Sequence, residues 1–328
     1  MFFWISLCLA LLAALAGAHA LRRQMAAGLN ATALSDRVPW GLYIQGFFTL
    51  GSLAGGLLLL AGLSRLATNV MPAAAPALAM GCLVGGGLLL AADLGKPLRS
   101  PLLILGKNPG SPMTWDFYLF CLNAILVMAG VVYSARNLTP GLPWAICSII
   151  ASGAFLLTHA LLLAGNGEGK PFLALEVLIR AACGGAGLLS CLAISSAAPK
   201  LFLGLSLLAA LTHCASRLAL KHPEDSPPLS RLSWALCADL AVAGAALLSL
   251  YTPAVFMIRP AALGAIALLV WEKRRMMLEL QRENRLPAPY AQWQARISYT
   301  PSHMETRVCI GGIGLAIATA QIAWRISG

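Results

Sequence analysis

The stretch from residue 40 to residue 63 reads WGLYIQGFFTLGSLAGGLLLLAGL and contains no charged side chain. An α-helix needs about 20 apolar residues to cross the hydrocarbon core of a bilayer, so this stretch is long enough. Its apolar residues run continuously, without the period-two alternation of a membrane β-strand. The stretch therefore predicts a transmembrane helix.

The rest of the chain has the same character. Of its 328 residues, 59% are hydrophobic and 11% are charged, whereas a soluble domain has roughly half and a quarter. The composition predicts an all-α, polytopic integral membrane helix bundle of eight to ten spans. The apolar stretches of spanning length cover residues 2–20, 40–63, 76–92, 115–134, 143–164, 173–195, 201–219, 232–251, 254–271 and 308–325.

The predicted organisation has four parts. They are an N-terminal anchor helix and loop over residues 1–37, a transmembrane core over 38–271, a basic surface loop over 272–307 and a C-terminal helix over 308–328. The eighth and ninth spans have an alternative, one long helix followed by a re-entrant piece. Only residues 251–253 separate these two spans, and Arg259 and Pro260 interrupt the ninth.

Loop charge predicts the orientation in the membrane. Of the Lys and Arg residues in alternate loops, 17 fall on one side and 4 on the other. Basic loops stay in the cytoplasm, which predicts that both termini face outward. The net charge of +11 comes from these loops and not from a basic stripe with interleaved aromatic residues, so no nucleic-acid partner is expected.

Ionisable residues inside apolar spans are costly and usually have a partner, a water-filled cavity or a function. Seven such residues lie within or at the edge of the predicted spans, all in the half of the membrane nearest the basic loops. They predict a polar pocket that reaches into the bilayer from that side. The seven are Asp93, Asp116, His159, Glu176, Arg180, His213 and Asp239.

Spacing along the chain suggests how these residues are arranged. Asp93 ends the third span and Asp116 begins the fourth, with Asn123 seven residues later on the same helical face. Glu176 and Arg180 are four residues apart, so they can form an ion pair. Asp93 and Asp116 also have a plainer interpretation as helix caps at the headgroup level. Glu176 and Arg180 have one as a structural ion pair.

The nine cysteines contain no CxxC pair, so neither a disulfide framework nor a metal or iron–sulfur site is expected in this chain. They are interpreted as small apolar residues in helix packing. His159 and His213 are each interpreted first as packing histidines.

Three motifs occur in order along the first part of the chain. Residues 38–44 read VPWGLYI and run into a glycine-rich stretch over 51–56, residues 93–97 read DLGKP, and residues 111–116 read SPMTWD. They resemble segments of the NrfD/PsrC family, the polysulfide reductase membrane subunits. The span count is similar to the branch that contains the hydrogenase-2 and alternative complex III membrane subunits. Lys96 departs from the arginine of the family motif, which keeps the charge but loses the bidentate fork.

The resemblance implies a membrane subunit that binds a quinone, menaquinone or ubiquinone, without haem or an iron–sulfur cluster of its own. It would exchange electrons with a ferredoxin-like iron–sulfur subunit, itself often joined to a molybdopterin enzyme, in a bacterial inner membrane. The candidate quinone contacts are Tyr43, Gln45 and His159. The candidate proton carriers are Asp93, Asp116 and Glu176, with Trp40, Asn123, Arg180 and Asp239 as supporting residues.

Two other functions stay open at this point. A b-type haem anchor would use His159 and His213 as axial ligands. A transporter or proton channel would use the acidic residues as a path and would act alone, but the inverted repeats of such proteins are not evident in the sequence.

Overall fold

The computed structural model describes residues 2–34, 40–94, 110–164, 170–191, 197–219, 229–251, 255–283 and 299–327. Over these residues the chain forms ten α-helices and one short 3-10 helix, Leu29–Ala31, and no β-strand. Each predicted span falls on its own helix, which confirms the all-helical prediction. The helices are α1 Phe2–Ala27, α2 Leu42–Thr68, α3 Ala74–Asp93, α4 Pro112–Ala135, α5 Leu142–Ala164, α6 Lys170–Cys191, α7 Ala197–Ala219, α8 Leu229–Tyr251, α9 Val255–Glu283 and α10 His303–Ser327.

Seven of the described helices, α1 to α6 and α10, are long and apolar enough to cross a membrane. Shorter apolar segments lie in α7, over Pro199–Ala215, and in α8, over Leu236–Leu248. The chain is therefore a multi-pass membrane protein. The alternative of a single long helix over the eighth and ninth spans is wrong, because α8 and α9 are separate helices that pack against each other.

The predicted surface loop over 272–307 is wrong in its first part. Helix α9 continues to Glu283, and Glu272, Lys273, Met276 and Met277 are buried in it. The charges of Glu272 and Lys273 made this segment look like a loop, whereas the helix turns both side chains into the protein interior. Residues 284–298 of the predicted loop lie outside the described residues.

Helix α2 is the central element, because it packs against α3, α5 and α6. Small residues let these backbones approach closely. A Cβ at Gly62 would lie 2.8 Å from the carbonyl oxygen of Ala145 on α5, and one at Gly56 would overlap the backbone of Ala181 on α6. The Gly51 and Gly55 pair faces His159 and Leu156 of α5.

Helix α10 packs between α1 and α3. Gly311 lies against Gly17 of α1, and a Cβ at Gly85 of α3 would lie 2.6 Å from the carbonyl oxygen of Gly312. Helices α6, α7, α8 and α9 form the other side of the molecule, in which α6 and α8 each contact both α7 and α9. The glycine contacts thus bring the first and last helices together around α3.

Candidate functional site: a cavity and a buried ionic cluster

A cavity of about 130 Å³ lies where four helix ends meet, the starts of α2 and α4 and the ends of α3 and α5. Its walls are mostly apolar and aromatic, with two carboxyl groups among them. It is lined by Trp40, Ile44, Phe47, Phe48, Leu90, Asp93, Leu94, Ser111, Met113, Thr114, Asp116, Phe117 and Leu162. Helix ends from the segments that contain the three motifs thus meet at this cavity. Residues 35–39 and 95–109 lie outside the described residues.

Helix α4 delivers Asp116 to this cavity. The helix begins after Ser111, and Pro112 occupies its first turn, where a missing N–H costs nothing. The side chain of Asp116 is buried, and its Oδ1 accepts a hydrogen bond of 2.8 Å from the hydroxyl of Thr158 on α5. The same oxygen lies 3.4 Å from Nε2 of His159. Asp116 therefore faces both the cavity and a buried histidine.

His159 lies one layer behind the cavity wall. Its ring is fully buried, with the ring centroids of Phe47, Phe48 and Phe155 at 5.5, 4.8 and 4.3 Å. Its Nδ1 lies 3.5 Å from the hydroxyl oxygen of Ser52 on α2. Of the groups that line the cavity, Asp116 forms the polar contact with this imidazole.

Asp93 and Trp40 both line the cavity. Asp93 is the last residue of α3, and its Oδ1 is buried without a hydrogen bond among the described residues. Trp40 precedes α2 and packs on Phe48, with 6.0 Å between the ring centroids. The two side chains bracket the cavity from α3 and from the start of α2.

Two predicted quinone contacts, Tyr43 and Gln45, are not among the lining residues. The hydroxyl of Tyr43 donates to Oε1 of Gln24 on α1, and Nε2 of Gln45 donates to the carbonyl of Val270 on α9, at 3.3 Å. Successive residues of a helix point about 100° apart. Ile44 faces the cavity, so its two neighbours point to the flanks of α2.

Asn123 is a link between two helices and does not line the cavity. Its Nδ2 donates to the carbonyl of Leu119 in its own helix at 2.7 Å and to that of Ala151 on α5 at 3.2 Å. Asn123 thereby holds α4 against α5 below the Asp116 contact.

A second polar group, the Arg180 cluster, lies among α6, α7, α8 and α9. Arg180 donates two hydrogen bonds of 2.8 Å to the carboxylate of Asp239, and its Nε lies 3.3 Å from Glu176 and 3.4 Å from Glu272. Nδ1 of His213 lies 2.7 Å from Oε1 of Glu176. All five side chains are buried. The predicted pair of Glu176 with Arg180 is present, as one contact of a larger set.

Arg180 and Asp239 lie near the middle of their helices, α6 and α8, so the cluster is deeper than the cavity, which lies at helix ends. A small void of about 10 Å³ beside Arg180 and Asp239 is enough for one water molecule. Glu176 is therefore separated from the cavity and belongs to the cluster.

Sequence reasoning missed Glu272 and Lys273 because a run of charges follows them. The signal that marks them is the continued helical spacing, since Met276 and Met277 come one turn later and are buried. It also missed Thr158, whose hydroxyl is distinguished only by its contact with Asp116.

The two buried histidines contact different groups. His159 lies among phenylalanines beside Asp116, and His213 lies against Glu176 with Trp271 at 6.5 Å between ring centroids. In these contacts the two histidines do not face each other as the axial ligands of one haem would. Among the described residues no group of three or more His, Cys, Asp and Glu side chains could hold a metal ion.

Comparison with known proteins bears on the same part of the chain. The model of the family described as polysulphide reductase, NrfD, matches residues 30–152. A protein of Halobacterium salinarum (strain ATCC 700922 / JCM 11081 / NRC-1), provisionally named as a membrane component of dimethyl sulfoxide reductase, is 32% identical over 135 residues. The aligned residues are 38% of this chain and 29% of that protein, so the match spans less than a third of the relative.

All three motifs lie within the matched segment, and so does every lining residue of the cavity except Leu162. The resemblance that the motifs carried is thereby confirmed. Residues 30–152, which contain α2, α3, α4 and the first part of α5, match the model of the NrfD polysulphide reductase family.

Proposed function

We propose that this protein is the quinone-binding membrane subunit of a respiratory oxidoreductase complex. The observation that carries the proposal is the cavity at the joined ends of α2, α3, α4 and α5, with apolar aromatic walls and the carboxyl groups of Asp93 and Asp116. The match of residues 30–152 to the NrfD family model and the name of the matched relative support it.

The lining residues fit a quinone ring and its apolar tail. Trp40, Phe47 and Phe48 offer flat apolar surfaces, and ligand sites of this kind place a few polar groups among such walls to fix orientation. The carboxyl groups of Asp93 and Asp116 face the cavity from two different helices. Each can exchange a proton with a ring oxygen on its own side.

A bound quinone supplies chemistry that couples two electrons to two protons. Asp116 takes one proton from a quinol hydroxyl, and the hydroxyl of Thr158 stabilises the carboxylate before this proton arrives and again after it leaves. His159, 3.4 Å from the same oxygen, is the next acceptor. Asp93 takes the second proton at the other side of the cavity. Reduction of a quinone would use the same groups in the opposite sense.

The electrons need an acceptor or a donor outside this chain. We propose a ferredoxin-like iron–sulfur subunit, joined to a molybdopterin or other catalytic subunit, docked in a bacterial inner membrane at the end of the bundle where the cavity lies. The basic loops belong to this end, and the loop-charge count assigns it to the cytoplasm. Co-purification from native membranes checks this part of the proposal.

Binding of a menaquinone analogue to the purified protein in lipid nanodiscs tests the site. Leu90 lines the cavity, so Leu90→Trp fills it and should weaken binding at least tenfold, which corresponds to about 1.4 kcal/mol. Leu122→Trp, at an exposed position of α4 outside the cavity, is the matched control and should leave the Kd unchanged. Quenching of tryptophan fluorescence measures both, with Trp40→Phe to identify the responding residue.

Absence of saturable binding by the wild-type protein would sink the proposal, and transport through the acidic groups would become the better explanation. Equal loss of binding in Leu90→Trp and Leu122→Trp would place the quinone outside this cavity.

A further inference from the structure

Gln24 is a buried polar residue near the end of α1 that contacts two other helices. Its Nε2 donates a hydrogen bond of 3.0 Å to the carbonyl of Ala92 on α3, and its Oε1 accepts one from the hydroxyl of Tyr43 on α2. Helix α1 otherwise packs chiefly against α10. Gln24 is therefore a direct polar link from α1 to α2 and α3, two of the helices that form the cavity.

Each of the two contacts lies one residue away from a lining residue of the cavity. Ala92 precedes Asp93 at the end of α3, and Tyr43 precedes Ile44 in the first turn of α2. Adjacent residues of a helix share its fixed geometry, so a shift of Ala92 or Tyr43 also moves its neighbour. The amide of Gln24 thus ties together two walls of the cavity.

The two contacts together require an amide side chain. The carbonyl of Ala92 can only accept a hydrogen bond, and the last carbonyls of a helix have no partner in a further turn. The NH₂ group of Gln24 must face this carbonyl, which turns Oε1 toward the hydroxyl of Tyr43 as its acceptor. A hydrocarbon side chain at this position makes neither bond.

The surroundings of this link are dry. Gln24 is 1% exposed, and Ala92 and Tyr43 are 0% exposed. Leu89 and Val308 belong to the apolar cluster that encloses them. Buried polar groups that lose a partner stay unsatisfied unless the structure rearranges. Loss of the amide should therefore shift the ends of α2 and α3.

We propose that Gln24 is a positioning residue of the cavity, which holds Asp93 on α3 at its distance from Ile44 and the aromatic residues of α2. Its amide spaces the two walls for a quinone ring without touching the ring. Tyr43 acts with it as the second half of the same link. The effect on quinone binding rests on the proposed function, whereas the hydrogen-bonded link does not.

Nitrogen NMR of the full-length protein in lipid bilayers, without quinone and with ¹⁵N at the glutamine side chains, tests the link itself. The chain has six glutamines, and the resonance absent from Gln24→Leu identifies Gln24. Tyr43→Phe removes the donor to Oε1 and should shift this resonance. Tyr133→Phe, near the end of α4 that is far from the cavity, should not. A Gln24 resonance that ignores Tyr43→Phe would overturn the link.

Failure of Gln24→Leu to fold does not prevent this measurement. Replacing the other five glutamines by methionine leaves Gln24 as the one labelled side chain, and Tyr43→Phe is then compared with the parent protein in the same way.

Binding of a menaquinone analogue in lipid nanodiscs tests the positioning role. Gln24→Leu and Tyr43→Phe should each raise the Kd, by about tenfold for Gln24→Leu. The double variant should bind no more weakly than Gln24→Leu, because the effects of residues in contact are not additive.

Gln321→Leu is the matched control. Gln321 on α10 donates a hydrogen bond of 2.9 Å to the hydroxyl of Ser6 on α1, about 27 Å along α1 from Gln24. This variant also removes an amide that joins α1 to another helix, so its thermal stability should fall, but its Kd should stay at the wild-type value.

The outcomes separate this proposal from the proposed function. A wild-type Kd in Gln24→Leu would overturn the positioning role, as would an equal rise of the Kd in Gln321→Leu, which would indicate general destabilisation. Additive losses in the double variant would show that Gln24 and Tyr43 act separately. Absence of saturable binding by the wild-type protein would defeat the proposed function and the positioning role together. The link of α1 to α2 and α3 would then stand or fall on the NMR result.

Discussion

The place of His159 beside Asp116 depends on a missing side chain on the facing helix. A Cβ at Gly51 would lie 2.7 Å from Cε1 of the imidazole, closer than real Cβ contacts allow. Glycine therefore lets α5 bring the ring against α2, with the phenylalanines of both helices around it. At the residue scale, the Asp116–His159 contact requires this glycine.

Gly51→Ala should displace the imidazole and lengthen its contact with Asp116. The overpacked interface should cost about 1–3 kcal/mol of stability, and the loss of the proton acceptor should slow quinol oxidation by roughly a hundredfold. Thermal unfolding and turnover of the assembled complex measure the two effects. Gly153→Ala, on α5 with open space around its Cβ position, is the control. If Gly51→Ala and Gly153→Ala have the same thermal stability and the same turnover, the contact of Gly51 with His159 does not contribute to function.

At the scale of the elements, the first turn of α10 anchors the start of α2. The carboxylate of Glu305 is fully buried and accepts hydrogen bonds from the N–H groups of Ala33 and Ser302, at 2.9 and 2.8 Å, and from the hydroxyl of Tyr299 at 2.5 Å. The oxygen of Tyr299 accepts from the N–H of Leu42 at 2.7 Å. Burial and the hydrogen bond to Glu305 raise the pKa of Tyr299, so the phenol stays protonated as a donor.

Tyr299→Phe should therefore loosen the start of α2. It leaves the N–H of Leu42 and an oxygen of Glu305 without their partner, at a cost of about 1–3 kcal/mol. Because Trp40 precedes this turn, the affinity for a menaquinone analogue should also fall. Tyr133→Phe removes a hydroxyl that makes no hydrogen bond among the described residues, and it serves as the control. Unfolding and binding measurements that do not distinguish the two variants would show that the anchor is unimportant.

At the scale of the whole molecule, the cavity lies at the end of the bundle that carries the basic loops. Purification from native membranes in mild detergent should bring an iron–sulfur subunit and quinone with the protein, identified by mass spectrometry and lipid extraction. Protease added to inverted membrane vesicles, but not to spheroplasts, should digest that partner. Purification of the protein without an iron–sulfur subunit would contradict the proposed partner. Digestion of the partner in spheroplasts would contradict its position on the cytoplasmic side. A haem absorption spectrum from this chain would support the alternative in which His159 and His213 are axial haem ligands.

Helix content and the resemblance to the NrfD family were readable along the chain because both depend on local sequence. Continuous apolar runs define helices without reference to their neighbours, and the SPMTWD motif placed Asp116 at the start of α4. The spacing of Glu176 and Arg180 was enough to predict their ion pair, because residues four apart share a helix face.

The direction in which each side chain points across helices was not readable in this way. Tyr43 and Gln45 are adjacent to Ile44 in sequence, yet only Ile44 lines the cavity, because the rotation of α2 is set by its packing against α3, α5 and α6. The segment that begins at Glu272 and Lys273 resembled a loop because charged residues lower its hydropathy. Hydropathy does not show which charged residues contact a partner on another helix.

The sequence by itself determined that this chain is a membrane helix bundle with a segment that resembles the NrfD family, since apolar length and short motifs act within one stretch of chain. Only the tertiary structure decided that Asp93, Asp116 and Trp40 share a cavity, and that the buried charges of α6, α8 and α9 form one cluster around Arg180. The reason is that these contacts join residues far apart in the chain, and the glycine-mediated packing of the helices sets their geometry.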